Sequence, residues 1–78
     1  MKELVEMITK SLVDSPEEVK ITETCGESII ILEINVGADD VGKVIGKEGR
    51  IANAIRTVVK AAAAKQNKKV TVEIMTQK

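Results

Sequence analysis

Two glycines three residues apart, Gly46 and Gly49, separate two stretches of helical periodicity. Apolar Val44 and Ile45 come just before the pair, and a longer helical pattern begins at Arg50. Glycine is the residue that adopts left-handed backbone conformations and lets another group approach the backbone closely. The spacing therefore predicts a tight helix–turn–helix, whose glycines serve either the turn itself or a phosphate that rests on it.

The same stretch does not match the glycine motifs of nucleotide-binding folds. From Gly42 to Lys47 the spacing is one residue short of a P-loop, and Glu48 follows where a magnesium-binding Ser or Thr is required. No Gly-x-Gly-x-x-Gly follows a predicted strand. We expect neither nucleotide hydrolysis nor dinucleotide binding.

The remaining sequence alternates between helical and strand periodicity. Gly26-Glu27 has the form of a two-residue hairpin turn, and Asp39 is a good N-cap with Asp40 in the first turn. The predicted elements are helix 2–13, strand 19–25, strand 30–36, helix 40–45, helix 50–66 and strand 70–75. This order predicts an α+β, two-layer sandwich, with a three-stranded sheet and three helices on one face. The predicted sheet side of the core is Val19, Ile21, Ile30, Leu32, Ile34, Val70, Val72 and Ile74.

Length and composition restrict the class of protein. A chain of 78 residues, 44% apolar and 31% charged, predicts one globular domain over 1–78. The longest apolar runs, of four residues, are too short to cross a membrane, and the acidic, amphipathic start differs from a signal peptide. We expect a cytoplasmic protein.

The missing residue types exclude several kinds of chemistry. With no His and a single Cys, the chain offers no zinc cluster and no His-based catalysis, so we expect no metal, no cofactor, no small-molecule substrate and no enzyme activity. With no Phe, Tyr or Trp, nucleic-acid binding by aromatic stacking is also excluded.

The charges are sorted along the chain although the net charge is zero. Residues 1–40 carry three basic and ten acidic side chains, whereas residues 41–78 carry nine basic and two acidic ones. This asymmetry is typical of a polyanion binder with one electropositive and one acidic face. The alternative is that folding mixes these charges into an ordinary solvated surface.

The glycine turn and its flanks resemble a known RNA-binding module. The stretch Ile45-Gly46-Lys47-Glu48-Gly49, with Ile51 and Ile55 beyond it, is similar to the IGxxG signature of KH domains, and the element order matches the type II arrangement α-β-β-α-α-β. Over its full length the chain resembles the small single-KH-domain bacterial proteins of the KhpA family. The resemblance implies single-stranded RNA as the partner, a role as an RNA chaperone or post-transcriptional regulator, and often a second, larger KH-domain protein.

The resemblance also indicates which residues bind RNA. In KH domains about four nucleotides cross the glycine turn, with bases in an apolar groove between helices and a strand. The predicted RNA-binding residues are Val44, Ile45, Gly46, Lys47, Glu48, Gly49, Arg50 and Ile51, with Ile31 and Glu33 on the strand side; Val41, Ala52 and Ile29 are further candidates. The aliphatic members serve equally well as plain core. Glu48 repels phosphate, so we expect modest affinity.

Helix 50–66 is more apolar than packing on one sheet requires. Its apolar side chains cover roughly 200° of the circumference, and its polar ones gather in about a third of it. The surplus predicts a homodimer or partner face at Ala54, Val58 and Ala61. The alternative is a helix clamped between the sheet and the first helix. A second hypothesis follows for function: a module that dimerises or recruits a partner and has little RNA affinity of its own.

Overall fold

The structure, a computed structural model, describes residues 1–76. Gln77 and Lys78, which the single-domain prediction includes, lie outside the described residues. The main elements are α1 (Lys2–Leu12), β1 (Lys20–Cys25), β2 (Ile29–Val36), α2 (Val41–Ile45), α3 (Arg50–Ala64) and β3 (Lys69–Thr76). Short 3₁₀ turns lie at Pro16–Glu18, Ala38–Asp40 and Lys47–Gly49. The predicted order α-β-β-α-α-β and the α+β class are confirmed.

The sheet has the order β1-β2-β3, with β2 in the centre. β1 pairs antiparallel with β2, and β3 pairs parallel with β2. Parallel neighbours cannot be joined by a hairpin and need a crossover connection, which α2, the glycine turn and α3 supply here. The glycine turn is therefore part of the connection that fixes the edge strand β3.

The core lies between the helices and one face of the sheet. Alternate residues of β2 are buried against the helices, as the strand periodicity requires: Ile30, Leu32, Ile34 and Val36. They pack with Val5 of α1, Val44 of α2, and Ile55 and Val59 of α3. The predicted sheet residues Ile21 and Val72 are also buried, whereas Val19, Val70 and Ile74 are half-buried at the margin of the core. α1 packs over β1, while α2 and α3 pack over β3.

The predicted hairpin turn is displaced by one residue. Cys25 pairs with Ile30, and the Gly26 N–H donates to the Ile29 carbonyl at 2.7 Å. The two residues at the tip are consequently Glu27 and Ser28, not Gly26 and Glu27. A Gly-X turn needs a positive φ at its glycine. Gly26 does not have one, because the positive-φ glycines among residues 1–76 are Gly46 and Gly49. Gly26 therefore lies opposite Ile29 at the end of the strands and not at the tip.

The predicted N-cap role of Asp39 is wrong, and its neighbour Asp40 has a different function. Asp40 immediately precedes α2, but its side chain makes no capping bond to that helix. The buried carboxylate instead accepts N–H groups of Asp14 at 3.2 Å and Ser15 at 3.1 Å, and Lys43 lies 3.4 Å away. Asp40 thus ties the segment after α1 to the start of α2.

None of the helices in residues 1–76 has the length and apolar character needed to span a membrane.

Candidate nucleic-acid interface

The turn between α2 and α3 is held by three residues with positive φ. Gly46 (φ 77°, ψ 174°) ends α2, Glu48 (φ 58°) lies at the tip, and Gly49 (φ 74°) precedes α3. Inside the turn, the Gly49 N–H donates to the Gly46 carbonyl at 3.2 Å, and the Arg50 N–H donates to the Lys47 carbonyl. The opening N–H groups of a helix lack acceptors within the helix, although that of Arg50 already donates to Lys47 here, and the helix dipole is positive at this end. The start of the 15-residue helix α3 is therefore suited to an anion.

The two glycines are needed for different reasons. A Cβ added to Gly46 would lie 2.6 Å from the Ile51 side chain, and the φ and ψ of Gly46 fall in a region that is essentially restricted to glycine. A Cβ added to Gly49 would meet only the Asn53 amide nitrogen, at 4.0 Å. Gly46 is thus required by the fold itself, whereas Gly49 leaves open space beside the backbone for a ligand.

The turn carries two cations and one anion. The side chains of Lys47 and Arg50 are exposed, and Glu48 Oε2 lies 3.4 Å from an Arg50 guanidinium nitrogen. Both partners of this pair are more than two-thirds exposed to solvent, so their attraction is weak. A phosphate at the turn would compete with Glu48 for Arg50.

Helix α3 has two chemically different flanks. On the α1 side it lines an apolar groove of about 300 Å³ together with Ile8 and Leu12, and Val58 there is 45% exposed. On the β3 side it lines a depression of about 210 Å³, to which it contributes Arg56 and Lys60. We call these the apolar groove and the basic groove.

The structure brings only some of the predicted RNA-binding residues together. Ile45, Lys47, Glu48 and Arg50 are exposed at the turn, and Ile51 is half-buried beneath Gly46. Val44 and Ala52, by contrast, are buried, with relative exposures of 0% and 3%, so their side chains form core below the turn. Of the further candidates, Val41 is half-buried and Ile29 is 42% exposed.

Ile31 and Glu33 do not share a groove with the turn. Their neighbours Ile30, Leu32 and Ile34 face the helices, and successive strand residues point to opposite faces, so Ile31 and Glu33 lie on the face without helices. Ile29 lies on that face as well.

The strand beside α3 is β3, and its residues were not among the predicted candidates. The basic groove is lined by Val70, Thr71 and Val72 together with Arg56 and Lys60. The sequence signal for this surface was the basic second half of the chain and the polar side of helix 50–66. Neither signal indicates which strand lies next to that helix, because strand order follows from the parallel pairing of β2 with β3.

The predicted partner face is available at the surface. Ala54 and Val58 line the apolar groove and are exposed, and Ala61 is exposed one turn further along α3. The remaining lining comes from Ile8, Leu12, Arg50, Ile51 and Ile55.

A three-stranded mixed sheet covered on one face by three helices, with a Gly-x-x-Gly turn between the last two helices, defines a KH-domain protein of type II. The family model described as KhpA/KhpB, KH domain, matches residues 2–74. The chain belongs to this family, which is one of RNA-binding proteins and not of enzymes.

Similar proteins cover almost the whole chain. RNA-binding protein KhpA of Clostridium perfringens is 69% identical over 75 residues, which are 96% of this chain and 100% of that protein. RNA-binding protein KhpA of Chlamydia pneumoniae is 50% identical over 78 residues, 100% of both chains. RNA-binding protein KhpA of Borreliella burgdorferi is 55% identical over 73 residues, 94% of this chain and 89% of that protein. No solved structure matches the chain significantly.

Proposed function

We propose that this protein binds single-stranded RNA by holding the phosphate backbone at Gly46-Lys47-Glu48-Gly49, and that it acts in the cytoplasm as an RNA chaperone or post-transcriptional regulator. The observation that carries the proposal is the turn itself, with open space beside Gly49 and exposed Lys47 and Arg50 at the start of α3. The names of the similar proteins support RNA as the ligand. Backbone and lysine contacts to phosphate supply affinity without reading sequence.

The proposal is tested by reversing the charge at the tip of the turn. In the Lys47→Asp, Glu48→Asp variant both changed side chains are exposed, and Asp tolerates the left-handed conformation at 48 better than most residues. We expect single-stranded RNA to bind this variant about tenfold more weakly or worse, because a phosphate contact is lost and the charge at the tip becomes more negative. Fluorescence anisotropy with a labelled oligonucleotide measures the affinity.

Circular dichroism establishes that the parent and the variant are equally folded. Equal binding by both proteins would place RNA elsewhere on the molecule. Absence of binding by both would favour the second hypothesis, in which the chain dimerises or recruits a partner without useful RNA affinity.

We also propose that the apolar groove is a protein-binding face, through which the chain forms a homodimer or contacts a larger KH-domain protein. Ala54, Val58 and Ala61 are exposed apolar residues on one side of α3, and the groove lining is apolar apart from Arg50. Small alanines let a second helix approach closely, and a twofold axis would bring the same face of each copy together. A dimer would present two turns to one RNA strand and so strengthen weak individual contacts.

Replacing Val58 with Glu tests this face. A charge buried without a partner costs several kcal/mol, so the dissociation constant of the dimer is expected to rise by about a hundredfold or more. Sedimentation equilibrium at micromolar concentration should then give a dimer for the parent and a monomer for Val58→Glu. Thr71→Glu is the matched control, since Thr71 is an exposed residue on the β3 flank of α3 and does not line the apolar groove. A monomeric parent would contradict homodimerisation and leave a different partner for the groove.

A further inference from the structure

A second basic cluster lies at the far end of α3, away from the glycine turn. Lys60, Lys68 and Lys69 together with Val70 line a depression of about 300 Å³. It is continuous with the basic groove, because Lys60 and Val70 line both. From Arg50 to Lys60 the helix rises by roughly 15 Å, at about 1.5 Å per residue.

The backbone holds these lysines in place. α3 ends with the left-handed residue Asn67, and the Lys68 N–H donates to the Ala63 carbonyl at 3.0 Å. The Lys69 N–H then donates to Ser28 at the tip of the β1–β2 hairpin at 2.9 Å, at the point where β3 begins. Lys68 and Lys69 are thus fixed beside Lys60 by the same connection that sets the parallel register.

The cluster differs in its surroundings from three basic side chains that are paired with carboxylates. Lys10 pairs with Glu6, Lys43 with Asp14 and Asp40, and Arg50 with Glu48. Within residues 1–76, no carboxylate lies within ion-pair distance of Lys60, Lys68 or Lys69. Lys2, Lys20, Lys47, Arg56 and Lys65, like the cluster, have no ion pair within residues 1–76, but they do not line this depression. Uncompensated like charges that line one depression repel each other, and an anion placed among them would relieve that repulsion.

We propose that Lys60, Lys68 and Lys69 form a second phosphate site for the same RNA strand, so that the strand runs from the glycine turn along the basic groove. The inference rests on the proposed function, since it extends the footprint of the RNA bound at the turn. The ligand group is the phosphodiester of single-stranded RNA. Val70, which is half-buried and lines both depressions, offers apolar surface to a sugar or base.

The test compares RNA lengths. A uridine oligonucleotide of about four nucleotides covers the turn alone, whereas one of about ten nucleotides reaches the second site. The variant Lys60→Gln, Lys68→Gln, Lys69→Gln should bind the longer RNA about tenfold more weakly than the parent and lower the slope of log affinity against log salt by about two. Its affinity for the shorter RNA should match that of the parent.

The control removes the same number of charges from the acidic half of the chain. Lys2→Gln, Lys10→Gln, Lys20→Gln should bind both lengths like the parent, and circular dichroism checks that every variant is folded. We call Lys60→Gln, Lys68→Gln, Lys69→Gln the distal variant. If it binds the longer RNA like the parent, the second site is overturned. The same holds if the control variant weakens binding of the longer RNA as much as the distal variant does. If the variant at Lys47 and Glu48 retains binding and the distal variant loses it, the turn proposal fails and the second site stands. If the parent binds neither RNA, both proposals fail.

Discussion

Gly46→Ala is expected to lower the stability of the domain by about 3 kcal/mol or more, and its Tm by roughly 15 °C or more. Two costs add. An alanine must adopt φ 77° and ψ 174°, which is essentially restricted to glycine. Its Cβ must also fit 2.6 Å from the Ile51 side chain. Stabilities of small domains start near 5 kcal/mol, so this loss removes much of the total. Thermal denaturation followed by circular dichroism measures it.

Two other glycines provide the controls. An added Cβ at Gly42 in α2 meets nothing within 4 Å, so Gly42→Ala should stabilise the protein by about 0.5–1 kcal/mol. Gly49→Ala should cost about 1–2 kcal/mol, because it has the positive φ without the steric conflict. From the highest Tm to the lowest, the expected order is Gly42→Ala, parent, Gly49→Ala and Gly46→Ala. A Gly46→Ala variant within a few degrees of the parent would contradict the role assigned to Gly46.

The contact with Ile51 can be separated from the backbone cost. In the Gly46→Ala, Ile51→Ala double variant, the added methyl group no longer meets Cγ1 and Cδ1 of residue 51, at 2.6 and 2.9 Å, although the contact with its Cβ at 2.9 Å remains. The loss of stability should therefore be smaller than the sum of the two single losses by about 1 kcal/mol or more. Additive losses would show that Cγ1 and Cδ1 of Ile51 do not contribute, so that alanine is excluded by the backbone conformation and by the remaining Cβ contact.

The structural role of Gly46 determines which residues of the glycine turn can be used to test RNA binding. Since Gly46 is needed for the fold, a loss of RNA binding on its replacement says nothing about phosphate contacts. Lys47 and Glu48 are exposed and can be changed without disturbing the core, which is why the RNA experiment uses them. Of the two glycines, only Gly49 leaves room for a ligand to approach the backbone.

The sequence predicts the elements well because each one carries its own periodicity. The alternation of Ile30, Leu32 and Ile34 identifies both a strand and its buried face, and the apolar positions of helix 50–66 anticipate the buried Ile55 and Val59. The element bounds agree with the structure to within about two residues. The IGxxG turn, together with the element order, was sufficient to indicate the family.

Relations between elements were harder to predict, because periodicity does not say which element lies beside another. The parallel register of β2 and β3 puts β3 next to α3, so Val70 and Thr71 lie in the basic groove while Ile31 and Glu33 face away. Asp40 is a comparable case, since the sequence places it in the first turn of the helix, where a carboxylate favours the helix dipole. Its true partners lie about 25 residues earlier in the chain.

The flanks of α3 suggest how the proposed activities coexist. The basic groove lies between α3 and β3, and the apolar groove lies between α3 and α1. Because the two grooves use different sides of one helix, a protein partner on the apolar side would leave the basic groove open. It would, however, lie next to the glycine turn, since Arg50 and Ile51 also line the apolar groove. A dimer formed through α1 and α3 would leave both basic grooves exposed and would gain avidity on a single strand.

Asp40→Asn is expected to lower the Tm at neutral pH by about 5–10 °C. The carboxylate is only 3% exposed and accepts N–H groups of Asp14 and Ser15 with its two oxygens. An asparagine side chain has one oxygen, so its NH₂ group would face one of these donors and leave it without an acceptor. Asp39→Asn is the matched control, because Asp39 is exposed and the same change there should shift the Tm by no more than a few degrees.

The pH dependence distinguishes a charge-dependent role of Asp40 from a purely steric one. The hydrogen bond from the Asp14 N–H, followed by those from Ser15 and Lys43, lowers the pKa of Asp40 below its ordinary value. A carboxylate whose pKa is lowered by folding contributes stability that is complete above its unfolded pKa of about 3.9 and is lost as the pH falls through the folded value. The difference in Tm between the parent and Asp40→Asn should therefore be constant above about pH 5 and shrink below about pH 3.9, as the parent loses its charge. A difference that persists unchanged at the lowest pH at which both proteins fold would show that the carboxylate acts through its shape alone.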